Sequence, residues 1–429
     1  MLRYHAAFLL LYLGTAVLFS ALAWLNSLHE ARTALAEREW LERELGVDDV
    51  DAMVAYNEAK HRLGELRRWL LVALVLAVLY SGGLAHVVAW FEGFGYHPVV
   101  TGAAFFVGAV VTLQLFSVPF DLYDTFVIEE RFEFNEQTPG LFLKDLLLGT
   151  LIAVVLTAIV AGVVLWFVAQ FPTWWWVAAT IFFAAFSLVM LVVYPRLIAP
   201  LFNDFVPIEA GELRSAVEEV FDRAGFSCSQ IYEMDASRRS SHSNAYFIGF
   251  GRTKRVVLFD TLIDQLSIEQ LQAVLAHELA HWQKAHVWKL LGASVLRVAV
   301  LLAVLWLLMG TSWLYAMFDL PEVAYAGLLV GSLWVLPLGR LLSPLENRLS
   351  LAFEYEADAF ASDVMDEPEP LVGALATLAS ENLSNPFPHP WYAAFNHSHP
   401  PIPERIRAIR ERFGVVDEGD DPPPVSVAD

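Results

Sequence analysis

Apolar residues in this chain gather in long uninterrupted runs, not at the alternating or three-to-four spacing of a half-buried strand or helix. Seven runs stand out, at about 6–25, 69–91, 99–120, 146–170, 174–195, 290–317 and 322–342. Each is close to the roughly 20 residues a helix needs to cross a bilayer, so the pattern predicts seven spanning helices. The first run lacks an A-x-A type cleavage site near its end and is long for the apolar part of a signal peptide. It is read as a retained span. His86, Gln114 and Arg297 interrupt three of the runs. Such residues are expensive in lipid, and two readings stay open: each is paired against a neighbouring helix, or the interior is wet.

Composition agrees with the pattern. The chain of 429 residues is 57% hydrophobic and 17% charged, against roughly 45–50% and about 25% for soluble domains. Charge looks uninformative as a total, since 48 acids and 27 bases leave a net −21, which argues against a nucleic-acid partner. Its placement says more. Segments 26–68, 121–145, 196–289 and the part after 342 hold 7, 2, 10 and 5 Lys and Arg, whereas 92–98, 171–173 and 318–322 hold none and the N-terminus has only Arg3. Basic loops stay cytosolic, so the N-terminus is expected outside and the C-terminus in the cytosol.

The expected organisation follows. Residues 1–195 form five spans with cytosolic loops 26–68 and 121–145. Residues 196–289 form a cytosolic polar domain, 290–342 the sixth and seventh spans, and 343–413 the C-terminal part of that domain. The tail 414–429 has five acids, no base and three consecutive prolines, a composition expected to be disordered. A single cysteine, Cys228, excludes an intrachain disulfide framework and a Cys-rich metal site.

The chemistry begins at HELAH, 277–281. Ser267 and Gln270 have capping-box spacing, and no Gly or Pro follows until Gly292, so one helix is expected through the motif and past it to His286. His277 and His281 then lie one turn apart on one face, and Glu278 takes the place of a zinc hydrolase's general base. The motif alone arises by chance in roughly two of every hundred chains of this composition, so its context matters. Downstream, FEYEADAFA at 353–361 reads as a helix with Glu354 and Asp358 on one face. Glu354 can complete a His-His-Glu set, and Asp358 can accept from the second nitrogen of a ligating histidine. A solvated acidic face is the alternative. Glu356 points away and reads as surface charge. His286 falls on another helix face and reads as a polar neighbour, not a ligand. SNAYFIGFG at 243–251 reads as a strand beside VVLF at 256–259, either an ordinary sheet strand or an exposed edge for an extended peptide.

Taken together, HELAHWQKAH, LSLAFEYEADAFA, NLSNPFPHPWY and SHPPIPERIRAIR, with PFDLYDTFVIEERFEFNEQTP at 119–139 and RSSHSNAYFIGFG at 239–251, resemble the type I CAAX prenyl protease family of integral-membrane zinc metalloproteases. The resemblance spans about 115–412. It implies a mainly α, seven-span membrane protein enclosing a water-filled chamber, with a cytosolic zinc metalloprotease domain containing a small β-sheet. It makes His277, His281 and Glu354 the ligands of one zinc ion and Glu278 the catalytic carboxylate. His399 and Arg405 are implied to contact substrate and transition state, and the strand of Asn244 to bind the substrate backbone. Glu133 departs from the pattern, standing where the family usually has glycine.

The expected activity is hydrolysis of peptide bonds by a zinc-activated water with Glu278 as general base. The substrates would be prenylated CAAX-like proteins losing a C-terminal tripeptide, or other membrane-associated peptides. A monomer is expected, with membrane lipid and a peptide or lipidated protein as partners. The membrane would be the inner membrane in a prokaryote and that of the endoplasmic reticulum in a eukaryote, and no K-D-E-L type signal closes the chain. Alternatives are a quality-control metalloprotease with no prenyl requirement, and, in another class, a transporter or scaffold. Only five of the bases are Lys, and the acid excess suggests a salt-adapted surface.

Overall fold

The computed structural model describes residues 1–226, 230–248 and 255–415. Cys228, residues 249–251 of the SNAYFIGFG run and the tail from 416 lie outside them. Among the described residues six helices are long and apolar enough to span a membrane: Leu2–Ala36, Pro98–Glu129, Pro139–Gln170, Trp175–Leu201, His286–Met309 and Ala324–Leu341. The seventh expected span is a bent pair, Val50–Tyr80 and Gly83–Glu92, meeting at 65°. Gly82 sits at the bend with φ 76°, a left-handed conformation glycine adopts without penalty. The run 290–317 is likewise divided, because its helix ends at Met309 and Ser312–Ala316 is a separate short helix.

The spanning helices pack around Phe8, Phe105, Leu165, Trp175 and Tyr325. Gly102 permits one close approach, since a β-carbon there would lie 2.6 Å from Leu165 Cδ1 and 2.9 Å from Tyr325 Cβ. Of the polar residues inside the runs, His86 bonds through Nδ1 to the Gly82 carbonyl at 2.8 Å, and Arg297 pairs with Glu346 at 2.9 Å.

The polar segments build a four-stranded mixed sheet. Strands β1 (Phe205–Pro207), β2 (Ile231–Met234), β3 (Ala245–Ile248) and β4 (Arg255–Phe259) take the order β1-β2-β4-β3, with β2 and β4 parallel and the other pairs antiparallel. β3 is therefore an edge strand, in register Ala245 with Leu258. Val256 and Leu258 of β4 join one buried core with Leu275 and Leu279 of helix Ile268–Gln283, Ala361 of helix Ser343–Met365 and Ile406 of helix Ile402–Arg412. That core also takes in Ala34, Trp40, Leu41, Val50 and Met53 from segment 26–68.

Two stretches of the family-like sequence meet beside the sheet. Asn135 and Ser240 form an antiparallel bridge, Phe134 stacks on His242 with centroids 4.3 Å apart, and Arg239 makes a two-point contact with Asp145. Glu133 turns this loop with φ 62°. It adopts the left-handed conformation that suits glycine, at a cost of roughly 1 kcal/mol, so the departure from the family pattern leaves that turn intact.

Candidate metal centre

Helix Ile268–Gln283 begins as its sequence requires. The Gln270 amide donates to Ser267 Oγ at 3.2 Å, and the Ser267 amide donates to Gln270 Oε1 at 2.9 Å, the two reciprocal bonds of a capping box. Its end differs from expectation. It stops at Gln283, and Ala285 takes φ 59°, so a non-glycine residue terminates the helix where no Gly or Pro announced it. His286 starts the next helix.

His277 and His281 face one point. Their Nε2 atoms are 3.3 Å apart, and Glu354 contributes Oε2 at 3.4 Å from His277 Nε2 and Oε1 at 3.5 Å from His281 Nε2. Tetrahedral zinc with bonds of about 2.0–2.1 Å separates its ligand atoms by about 3.3–3.4 Å; the two imidazole nitrogens have that spacing, and one Glu354 oxygen lies within 4.8 Å of both. Glu354 Oε2 is buried without an aligned hydrogen bond, although His399 Nδ1 lies 2.7 Å from it. Lone pairs that converge without satisfying one another are what a cation requires.

Around this set the second nitrogens are engaged. His277 Nδ1 is 2.8 Å from Asp358 Oδ1. Arg405 is buried and donates to the same carboxylate, from Nε to Oδ2 at 2.8 Å and from Nη2 to Oδ1 at 2.6 Å. The guanidinium expected at the substrate is thus committed to Asp358, while still lining the cavity. His281 Nδ1 lies 3.1 Å from His286 Nδ1, whose Nε2 lies 3.0 Å from Glu356 Oε2. Glu356 is 41% exposed and also pairs with Lys284. Its surface position matches expectation, but its bond to His286 does not follow from helix spacing.

Electrostatics separate the two motif histidines. Burial works against charge on His277, but Asp358 and Glu354 outweigh it and push the ring up to about 9. Burial and the charge on His277 bring His281 down to about 4. Burial raises Glu278 above the usual carboxylate value. Glu354 and Asp358 are also opposed by burial, yet both stay below it, Glu354 through His277 and His399 and Asp358 through Arg405 and His277.

Glu278 opens onto a cavity of about 130 Å³ whose walls include Asn244, His277, His399 and Arg405. The start of edge strand β3 thus borders the carboxylate. Asn244 is exposed, accepts the Ala245 amide at 2.8 Å through its side chain and the Phe259 amide at 3.1 Å through its carbonyl.

Comparison with known proteins bears on the whole chain. Residues 26–204 match the family described as CAAX prenyl protease N-terminal, five membrane helices, and residues 207–413 match peptidase family M48. The CAAX prenyl protease 1 homolog of Arabidopsis thaliana is 34% identical over 368 residues, 83% of this chain and 86% of that protein. The chain belongs to the CAAX prenyl protease family of M48 peptidases. Its Homo sapiens homolog is 30% identical over 381 residues, 79% of this chain and 80% of that one. Among solved structures, the crystal structure of S. mikatae Ste24p superposes with a TM-score of 0.79 at 26% identity, covering 92% of this chain and 99% of that one. Family membership makes the protein an integral, multi-pass membrane metalloprotease acting on peptide bonds.

Proposed function

We propose that this protein is a zinc endopeptidase of the CAAX-processing kind, removing a C-terminal tripeptide from prenylated substrates. One observation carries the reading: His277, His281 and Glu354 each turn a ligand atom to within 4.8 Å of the other two beside Glu278, whose cavity is bordered by an edge strand. His277, His281 and Glu354 would hold the ion. Zinc, when bound, supplies a Lewis acid that polarises the scissile carbonyl and makes water a stronger acid.

The remaining work belongs to the chain. Glu278 takes the proton of the attacking water and returns it to the departing amine; the burial that raises its proton affinity brings it closer to the value this exchange needs at neutral pH. Asp358 accepts from His277 Nδ1 and so leaves Nε2 as the lone-pair side. Arg405 holds Asp358 from behind. An extended peptide adds to the sheet edge at β3 near Asn244 through main-chain hydrogen bonds, and His399 donates to the developing oxyanion. We assign residues 196–289 and 343–413 to one cytosolic catalytic unit, supported by their common core and by 24 bases on that side of the membrane against Arg3 on the other. The spanning helices would enclose the chamber through which substrate reaches the site.

The test compares cleavage of a farnesylated C-terminal peptide with the unmodified peptide by purified protein in detergent. Preference for the farnesylated peptide, zinc at one per chain, and a Glu278→Gln variant that keeps zinc but loses about 10²-fold or more of its rate are expected. Equal rates on both peptides would replace the prenyl label with a general membrane metalloprotease. Full activity in the Gln variant would remove the proposed base.

A further inference from the structure

We propose that His286 and Glu356 are positioning residues for His281, holding this ligand through a two-step hydrogen-bond relay that lies outside the five residues of HELAH. The inference rests on the metal-centre reading above and adds the means by which its second histidine is fixed.

The geometry starts at Ala285. Its left-handed turn ends one helix and begins the next, folding His286 back onto the residue five positions before it. His286 is fully buried. Its ring stacks on Phe353, the residue preceding the third ligand, with centroids 4.2 Å apart and planes within 7°. A fully buried ring needs partners for both nitrogens, and the partners here are specific: Nδ1 meets His281 Nδ1 at 3.1 Å and Nε2 meets Glu356 Oε2 at 3.0 Å.

Proton placement then follows from one condition. If His281 offers the Nε2 lone pair to the ion, a neutral ring must carry its proton on Nδ1. That proton is donated to His286 Nδ1, which must therefore be the acceptor. His286 carries its own proton on Nε2 and donates it to the Glu356 carboxylate. Every hydrogen has one donor and one acceptor, and the chain ends on an anion near the surface. His277 achieves the same result in one step through Asp358. The three acids of the EYEAD stretch thus divide the labour: Glu354 as ligand, Asp358 behind the first histidine, Glu356 behind the second through His286.

Groups behind metal-bound histidines typically contribute 10–100-fold to metal affinity. The experiment loads the full-length protein with zinc in detergent and follows zinc release to a chromogenic chelator. His286→Phe keeps a ring on Phe353 and removes both nitrogens; about tenfold faster release is expected, with Glu356→Ala changing in the same direction and Glu356→Gln, which retains an acceptor oxygen, lying closer to the parent. Wild-type release from His286→Phe, while His281→Ala has lost its zinc, overturns the relay and leaves the metal centre standing. Zinc held as tightly by His281→Ala as by the parent overturns both. Should the Phe variant fail to fold, Glu356→Ala carries the decision, and unchanged release from it overturns the relay.

Discussion

Arg405 has a partner that family resemblance alone did not name. The resemblance implied contact with substrate and transition state; the guanidinium lines the cavity at Glu278 and is also buried against Asp358 in a two-point bond. Removing one partner of a buried ion pair leaves the other charge without compensation, typically at 3–5 kcal/mol. Arg405→Met is therefore expected to lower unfolding stability by roughly that much, measured by denaturant or thermal unfolding in detergent. A variant as stable as the parent that fails only in substrate binding would return the residue to the substrate. Asp358 itself was legible, because i and i+4 share a helix face. Its pairing with Arg405 was not, since 47 residues separate the two and no local period connects them.

Between elements, His242 fastens the approach to β3. It bonds Asn382 through Nδ1 at 2.7 Å and Glu129 through Nε2 at 3.3 Å, while Glu129 also receives Lys60 at 2.7 Å and Tyr56 at 2.9 Å. The Glu129 contact, opposed by burial and aided by Asn382, raises His242 above its ordinary value. A raised folded-state value means the contribution is complete below the unfolded value of about 6.5 and is lost as pH climbs through the folded one. The stability gap between the parent and His242→Phe should thus be widest on the acid side and narrow as pH rises; a gap that widens toward alkaline pH contradicts the assignment. The capping box at Ser267 was readable because its signal is three residues long. The helix end at Ala285 was not, because alanine in a left-handed turn carries no sequence mark, and the His281–His286 contact was hidden with it. The bend at Gly82 was equally silent, since hydropathy sums over a run and is blind to its axis.

For the whole molecule, hydropathy conveyed the six or seven candidate membrane-crossing stretches and the motifs conveyed the grouping of His277, His281 and Glu354, because both are local properties of the chain. The joining of the sheet to segment 26–68 was not legible, as it depends on packing between stretches far apart in sequence. The acid excess makes a separate prediction. With 48 acids to 27 bases, screening relieves mutual repulsion, so peptide cleavage should persist or rise into molar salt, and collapse of activity there would count against a salt-adapted surface. The shared core has a further consequence for dissection of the protein. Cutting between the two family matches, near residue 205, would strip Trp40, Leu41, Val50 and Met53 from Leu275 and Leu279 and lay bare an apolar face. The proteolytic half, which keeps two spanning helices of its own, should aggregate even in detergent when expressed alone and be recovered as a well-dispersed detergent complex when the amino-terminal half is supplied as a separate polypeptide, making the two halves a complementing pair and not a catalyst with a detachable anchor.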